Sequence, residues 1–259
     1  MAFPDFAPDQ TRCLRALASA HPALAARLSG WTPAGGPRPL LSPEELEDLD
    51  GALARVGAAP VPTREMPRLL PQESAPFLAF VTRDVSVRRE ILQDTGGFWE
   101  AFTRYGLADW EYGYRLYRHG ARFACSPAAA CVHQEHPAGG NRHLDNAANY
   151  ALFLERHPEP DVALMACAPP WMDQERYARL CAAYHRVGAQ AEALRAALDP
   201  LLLGQARAWA AWGASPRGLP PTPQAGPRAL PTVAATLQLW HALRDPDAAE
   251  LLRSAGITP

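Results

Sequence analysis

The strongest constraint on this chain is the stretch from Asp173 to Gly213, "DQERYARLCAAYHRVGAQAEALRAALDPLLLGQARAWAAWG", which reads as helix after helix, rich in Ala, Leu and Arg. Whatever the chain folds into must bury the apolar stripes of these helices. The following "ASPRGLPPTPQAGPRALP" is a proline-rich linker or arm, at about residues 214–232. "TVAATLQLWHALRDPDAAELLRSAG" then supplies one or two closing helices. Residues 161–259 are therefore expected to form a helical tail, suited to packing or to a protein partner.

Upstream of residue 160 the pattern is mixed. Ser42-Pro43-Glu44-Glu45 opens a helix: Ser42 is the N-cap, Pro43 takes the first helical position and Glu45 closes a capping box. The apolar run "FLAFVT", Phe77 to Thr82, has strand length. "SVRREILQDTGGF" predicts a helix capped by Ser86 and stopped at Gly96-Gly97. A further helix is predicted from about Asp109 to His119, ending at Gly120. Two short strands fit "ARFAC" and "ACVHQ", hinged at Ser126-Pro127, and residues 141–157 are helical again. The expected fold class is α/β over residues 1–160, followed by the all-α tail.

Charge excludes some partners. With 25 basic residues, all of them arginine, against 27 acidic ones, nothing favours nucleic acid or a membrane surface. The 5 cysteines are scattered and form no CxxC pair, so neither a disulfide framework nor a four-thiolate zinc site is expected. The N-terminus lacks the pattern of a signal peptide, and no run reaches the ~18 apolar residues of a spanning helix. The expected location is the cytoplasm.

One segment carries more specific information. Asp84-Val85-Ser86, Gly96-Gly97-Phe98-Trp99-Glu100, Gly106-Leu107-Ala108-Asp109, Gly113-Tyr114-Arg115-Leu116 and Pro127-Ala128 leading to His133 follow one another in order. Together, over about residues 77–137, they resemble the C-terminal half of family 2 glycosyltransferases of the GT-A fold. The closer resemblance is to the galactosyltransferase C-terminal domain. The opening "AFPDFAPDQTRCLRALASAH" is similar to the piece that follows the family's metal-binding Asp-x-Asp. No Asp-x-Asp precedes it here, so the chain is expected to start just past the donor-binding half.

The resemblance implies transfer of a sugar from a nucleotide-sugar donor to a glycan or other hydroxyl acceptor, with inversion, as in polysaccharide biosynthesis. Asp109 is then the general base that takes the acceptor's proton. Glu111, Trp110 and Tyr105 lie on the acceptor side, and His133 ligates Mn2+ or Mg2+. The residues themselves also allow plainer readings. Asp109 can simply cap a helix, Glu111 can be a solvated surface charge, and Trp110 and Tyr114, four apart, can pack the core. His133, His136 and His143 can be polar loop residues. Ala108, Leu107 and Trp99 depart from the family's glutamate, aromatic and aspartate. Those departures, with the missing Asp-x-Asp, point to the alternative of a catalytically inactive binding or scaffold module.

Overall fold

The computed structural model describes residues 44, 47, 48, 51, 74–82, 84–126, 142–216, 221, 238, 242 and 244–257. The chain divides into two compact units, Met1–Arg64 with Ala130–Gly140, and Glu65–Ala129 with Asn141–Pro259. In the first, Glu44, Glu47 and Gly51 are helical, and Asp48 accepts a hydrogen bond from the Gly51 amide at 3.0 Å.

Among the described residues of the second unit, the first element is a 3-10 turn, Pro76–Ala79, followed by helices α1 (Arg89–Thr95), α2 (Ala108–Arg118) and α3 (Arg142–Arg156). A short helix α4 (Pro160–Ala163) runs into a 3-10 turn, Leu164–Ala166. Then come α5 (Gln174–Gln190), α6 (Glu192–Ala214) and α7 (Pro246–Ser254). Among the described residues there is no strand. This overturns the α/β expectation for residues 1–160.

The physical reason is visible at "FLAFVT". A six-residue apolar run is buried whether it is strand or turn, so periodicity cannot separate the two. Here Pro76 starts a 3-10 turn, with its fixed φ at the first position. Phe77 and Leu78 are fully buried against α2. "ARFAC" has no regular structure. Its intended partner "ACVHQ" lies outside the described residues, as does Ser42.

Helix boundaries follow their local chemistry. α1 ends at Gly96 (φ 72°) and α2 is followed by Gly120 (φ 88°), both left-handed positions that glycine takes without steric cost. The start of α1 differs from the Ser86 reading: the helix begins at Arg89 without a side-chain cap. Asp173 caps α5 through the Arg176 amide at 2.9 Å. Asp245 caps α7 through the amides of Asp247 and Ala248, with Pro246 at the first position.

One buried core runs from Ala75 to Ile257, and it includes residues on both sides of position 160. α6 presents Leu194, Leu198, Leu202 and Ala206 at four-residue spacing, and burying each leucine contributes roughly 1.5–3 kcal/mol. Pro200 lies inside α6 but is exposed, so the carbonyl it leaves without a helical donor can bond water. α6 crosses α3 at Gly213, where a Cβ would stand 2.2 Å from the Ala147 carbonyl oxygen. Only glycine allows that approach.

α7 is held to α5 by half-exposed ion pairs over the same core. Arg176 meets Glu250 at 2.7 Å, Arg179 meets Asp247 at 2.9 Å and Arg186 meets Asp245 at 2.8 Å. Cys167 and Cys181 are buried and Cys125 is exposed. Burial pushes the Cys167 thiol up to about 12. Among the described residues no helix is long and apolar enough to cross a membrane.

Candidate functional site

The start of α2 is built by a strained turn. Gly106 (φ 90°) and Leu107 (φ 64°) are both left-handed, and Leu107 is the one non-glycine residue with positive φ among those described. Such a position costs about 1–3 kcal/mol and persists only where its surroundings impose it. α3 imposes it here. The buried Asn149 brings its side-chain amide to the carbonyls of Arg104 (3.0 Å), Tyr105 (3.2 Å) and Gly106 (2.5 Å). Its neighbour Asn146 fills the space beside Gly106, where a Cβ would meet Asn146 Oδ1 at 2.0 Å. Leu107 is buried and its carbonyl accepts from the Glu111 amide at 2.8 Å, so the helix begins abruptly.

Asp109 therefore stands inside the first turn, beyond the cap position. The cap is Leu107, with no side-chain hydrogen bond, which replaces the reading of Asp109 as a helix cap. The carboxylate instead accepts from Thr82 Oγ1 at 2.6 Å. Asp109 is half-buried, and among the described residues its Oδ2 has no hydrogen-bond partner. Tyr105 is 53% exposed, with the Arg142 guanidinium 4.9 Å from its ring centre. Trp110 lies partly buried against the core and donates from Nε1 to the Leu78 carbonyl at 3.1 Å. Tyr114 is fully buried, its ring 5.2 Å from Phe77 and its hydroxyl donating to Glu159 at 2.6 Å. Trp110 and Tyr114 thus pack, as their spacing predicted.

Glu111 corrects the surface reading, for it is completely buried. Arg115 binds both its oxygens, Nε to Oε1 at 2.9 Å and Nη2 to Oε2 at 3.0 Å. His157 Nε2 reaches Oε1 at 2.9 Å and Arg156 Nε lies 3.5 Å from it. Burial pushes the Glu111 carboxyl up, but hydrogen bonds from His157 and Arg115 and the charges of Arg115 and Arg156 outweigh it. The carboxyl ends below its ordinary value of 4.5. Arg115 also donates to the carbonyls of Thr95 (2.5 Å) and Gly97 (2.8 Å), so this one cluster joins the end of α1, the middle of α2 and the end of α3.

The Gly-Tyr-Arg-Leu run acquires a structural account residue by residue. Gly113 admits the 3-10 turn, since a Cβ there would sit 2.8 Å from the Phe77 carbonyl oxygen. Tyr114 and Leu116 fill the core and Arg115 ties the helices. Asn146, Asn149, Arg115, His157 and Thr82 were not singled out from sequence as site residues. The asparagines had a signal: in "LDNAANYALF" they share the apolar face with Ala147, Tyr150 and Phe153, and buried amides need partners. Glu111 and Arg115 had another, their four-residue spacing.

His133, with His136, lies outside the described residues. Among the described residues no group of three or more His, Cys, Asp or Glu side chains could hold a metal ion.

Comparison with known proteins narrows the chemistry. The chain is 35% identical over 82 residues to the uncharacterized glycosyltransferase YfnE of Bacillus subtilis, a match covering 32% of this chain and 21% of that protein. It is 40% identical over 82 residues to a chondroitin synthase of Escherichia coli, covering 32% of this chain and 12% of the synthase. It is 33% identical over 81 residues to a hyaluronan synthase of Pasteurella multocida, covering 31% and 8%. The matches thus span about a fifth or less of these relatives. No family model and no solved structure matches the chain. The partial similarity supports glycosyltransferase chemistry in general.

Proposed function

We propose that the chain carries the acceptor side of a glycosyltransferase site and that Asp109 is its general base. The observation that carries the reading is that a stretch related to glycosyltransferases accompanies a half-buried carboxylate on a rigid helix start, with one oxygen without a protein partner among the described residues. In this reading a hydroxyl of a glycan attacks the anomeric carbon of a nucleotide-sugar donor. The bond to the departing phosphate breaks, and Asp109 takes the hydroxyl proton, with inversion at the sugar. Tyr105 offers an exposed ring on which a sugar can stack, steadied by Arg142. Trp110 and Glu111 serve from behind, fixing α2 against the 3-10 turn and against α3. His133 is the proposed ligand for Mn2+ or Mg2+, which would offset charge on the leaving diphosphate. The described residues supply no partner set for that ion.

The test incubates the full chain with a panel of uridine and guanosine diphosphate sugars, Mn2+ or Mg2+, and oligosaccharide acceptors, and measures release of nucleoside diphosphate. Asp109→Asn should lower the rate by about 10²- to 10⁴-fold. An Asp109→Asn variant as active as the wild type would remove the base assignment. Acceptor binding with no transfer by the wild type would favour the inactive binding module instead.

A further inference from the structure

Asp109 is met from a distant part of the chain. The Thr82 hydroxyl that donates to Asp109 Oδ1 at 2.6 Å comes from 27 residues upstream. Its approach is fixed by the turn before it. Trp110 holds the Leu78 carbonyl at 3.1 Å, one residue from Asp109 itself. Gly113 lets α2 close on the Phe77 carbonyl and the Phe80 side chain, each 2.8 Å from where a Cβ would stand. Phe80 then packs edge-on to Tyr112, with ring centres 5.4 Å apart. Three contacts with α2 thus precede Thr82, and the hydroxyl arrives where Asp109 needs a donor.

We propose that Thr82 is a positioning residue for Asp109: its hydroxyl fixes the carboxylate in one rotamer by occupying Oδ1, leaving Oδ2 to meet the acceptor hydroxyl. The inference rests on the reading of Asp109 as base. An O–H donated to a carboxylate at this length is charge-assisted and directional. Thr82 is exposed and Asp109 only half-buried, so the bond adds little net stability. Its effect falls on the direction of the carboxylate, and misplacing a reacting group by about 1 Å can cost about 100-fold in rate.

The experiment compares the full chain with Thr82→Val, which keeps the shape and loses the donor, and Thr82→Ser, which keeps the donor. Hα–Hβ coupling constants of Asp109, measured by NMR without substrate, should report one rotamer in the wild type and Thr82→Ser and averaging in Thr82→Val. In the transfer assay Thr82→Val should lose about 10- to 100-fold in kcat with KM little changed, and Thr82→Ser should recover it. Unchanged couplings in Thr82→Val overturn the proposal. Full activity in Thr82→Val beside an inactive Asp109→Asn also overturns it, and leaves the base assignment standing. Full activity in Asp109→Asn, or no transfer by the wild type on any donor, removes the base assignment and Thr82's role with it.

Discussion

The corner at residues 104–115 and the seam between α5 and α7 are both built from arginines and carboxylates, yet they use charge in opposite ways. At the seam, Arg176, Arg179 and Arg186 face Asp245, Asp247 and Glu250 half-exposed to water, above a core that is already closed. In the corner a single carboxylate, Glu111, is fully buried among Arg115, Arg156 and His157, and three helices meet at it. Exposed pairs divide a small effect among many partners, whereas the buried group concentrates a large one. Two residues from Glu111, Asp109 keeps one oxygen without a partner among the described residues. On one helix, the inward carboxylate organises its surroundings and the outward one is the proposed base.

The comparison can be broken most forcefully at Glu111. Glu111→Ala should cost about 3–5 kcal/mol, because Arg115 is left buried without its partner, and denaturant unfolding would register it. A loss below 1 kcal/mol would place the cluster with the seam. Next comes Asn149→Leu, which strips the donor from the Arg104, Tyr105 and Gly106 carbonyls and should cost about 1–3 kcal/mol. It should also lower acceptor binding by releasing Tyr105, which titration with oligosaccharide would detect.

Acid sharpens the contrast. The folded-state carboxyl of Glu111 lies below its ordinary value of 4.5, so its contribution to stability is complete above that pH. It is lost as pH falls through the folded value. The stability-versus-pH curve should bend downward below about 4.5, and in Glu111→Gln that bend should shrink. Asp245 and Glu250 are also lowered, through Arg186 and Arg176 chiefly. Being half-exposed, they should add a smaller slope that salt erases. The smallest effect belongs to Arg179→Ala at the seam, at most about 1 kcal/mol and less at high salt.

The same contrast explains what could be read from sequence. The seam helices and α6 declare themselves through Ala/Leu spacing, because their structure is decided by near neighbours. α1 and α2 end where Gly96 and Gly120 say they should. The corner is decided from afar. Nothing near Asp109 reveals that Thr82 will donate to it, or that Leu107 will turn left-handed because Asn149 holds the carbonyls before it. "FLAFVT" was misread for a related reason: burial selects apolar residues without selecting strand, and Gly113 opposite it decided for a turn. Glu111 was placed outside because an isolated glutamate usually is, and its partners His157 and Arg156 lie more than forty residues on.

α3 touches both worlds, and that gives its rigidity a mechanical meaning. Ala147 lies against Gly213 of α6, while Asn146 and Asn149 grip the turn that aims Asp109. The helix is a shaft with a bearing at one side and a lever at the other. A methyl group added at 213 would have to push the Ala147 carbonyl, and the shift would be delivered about half a turn along the shaft, at the amide of Asn149. Remote substitutions on α6 would thus retune the aim of Asp109 without touching it, giving an evolving or engineered chain a fine adjustment far from the site itself.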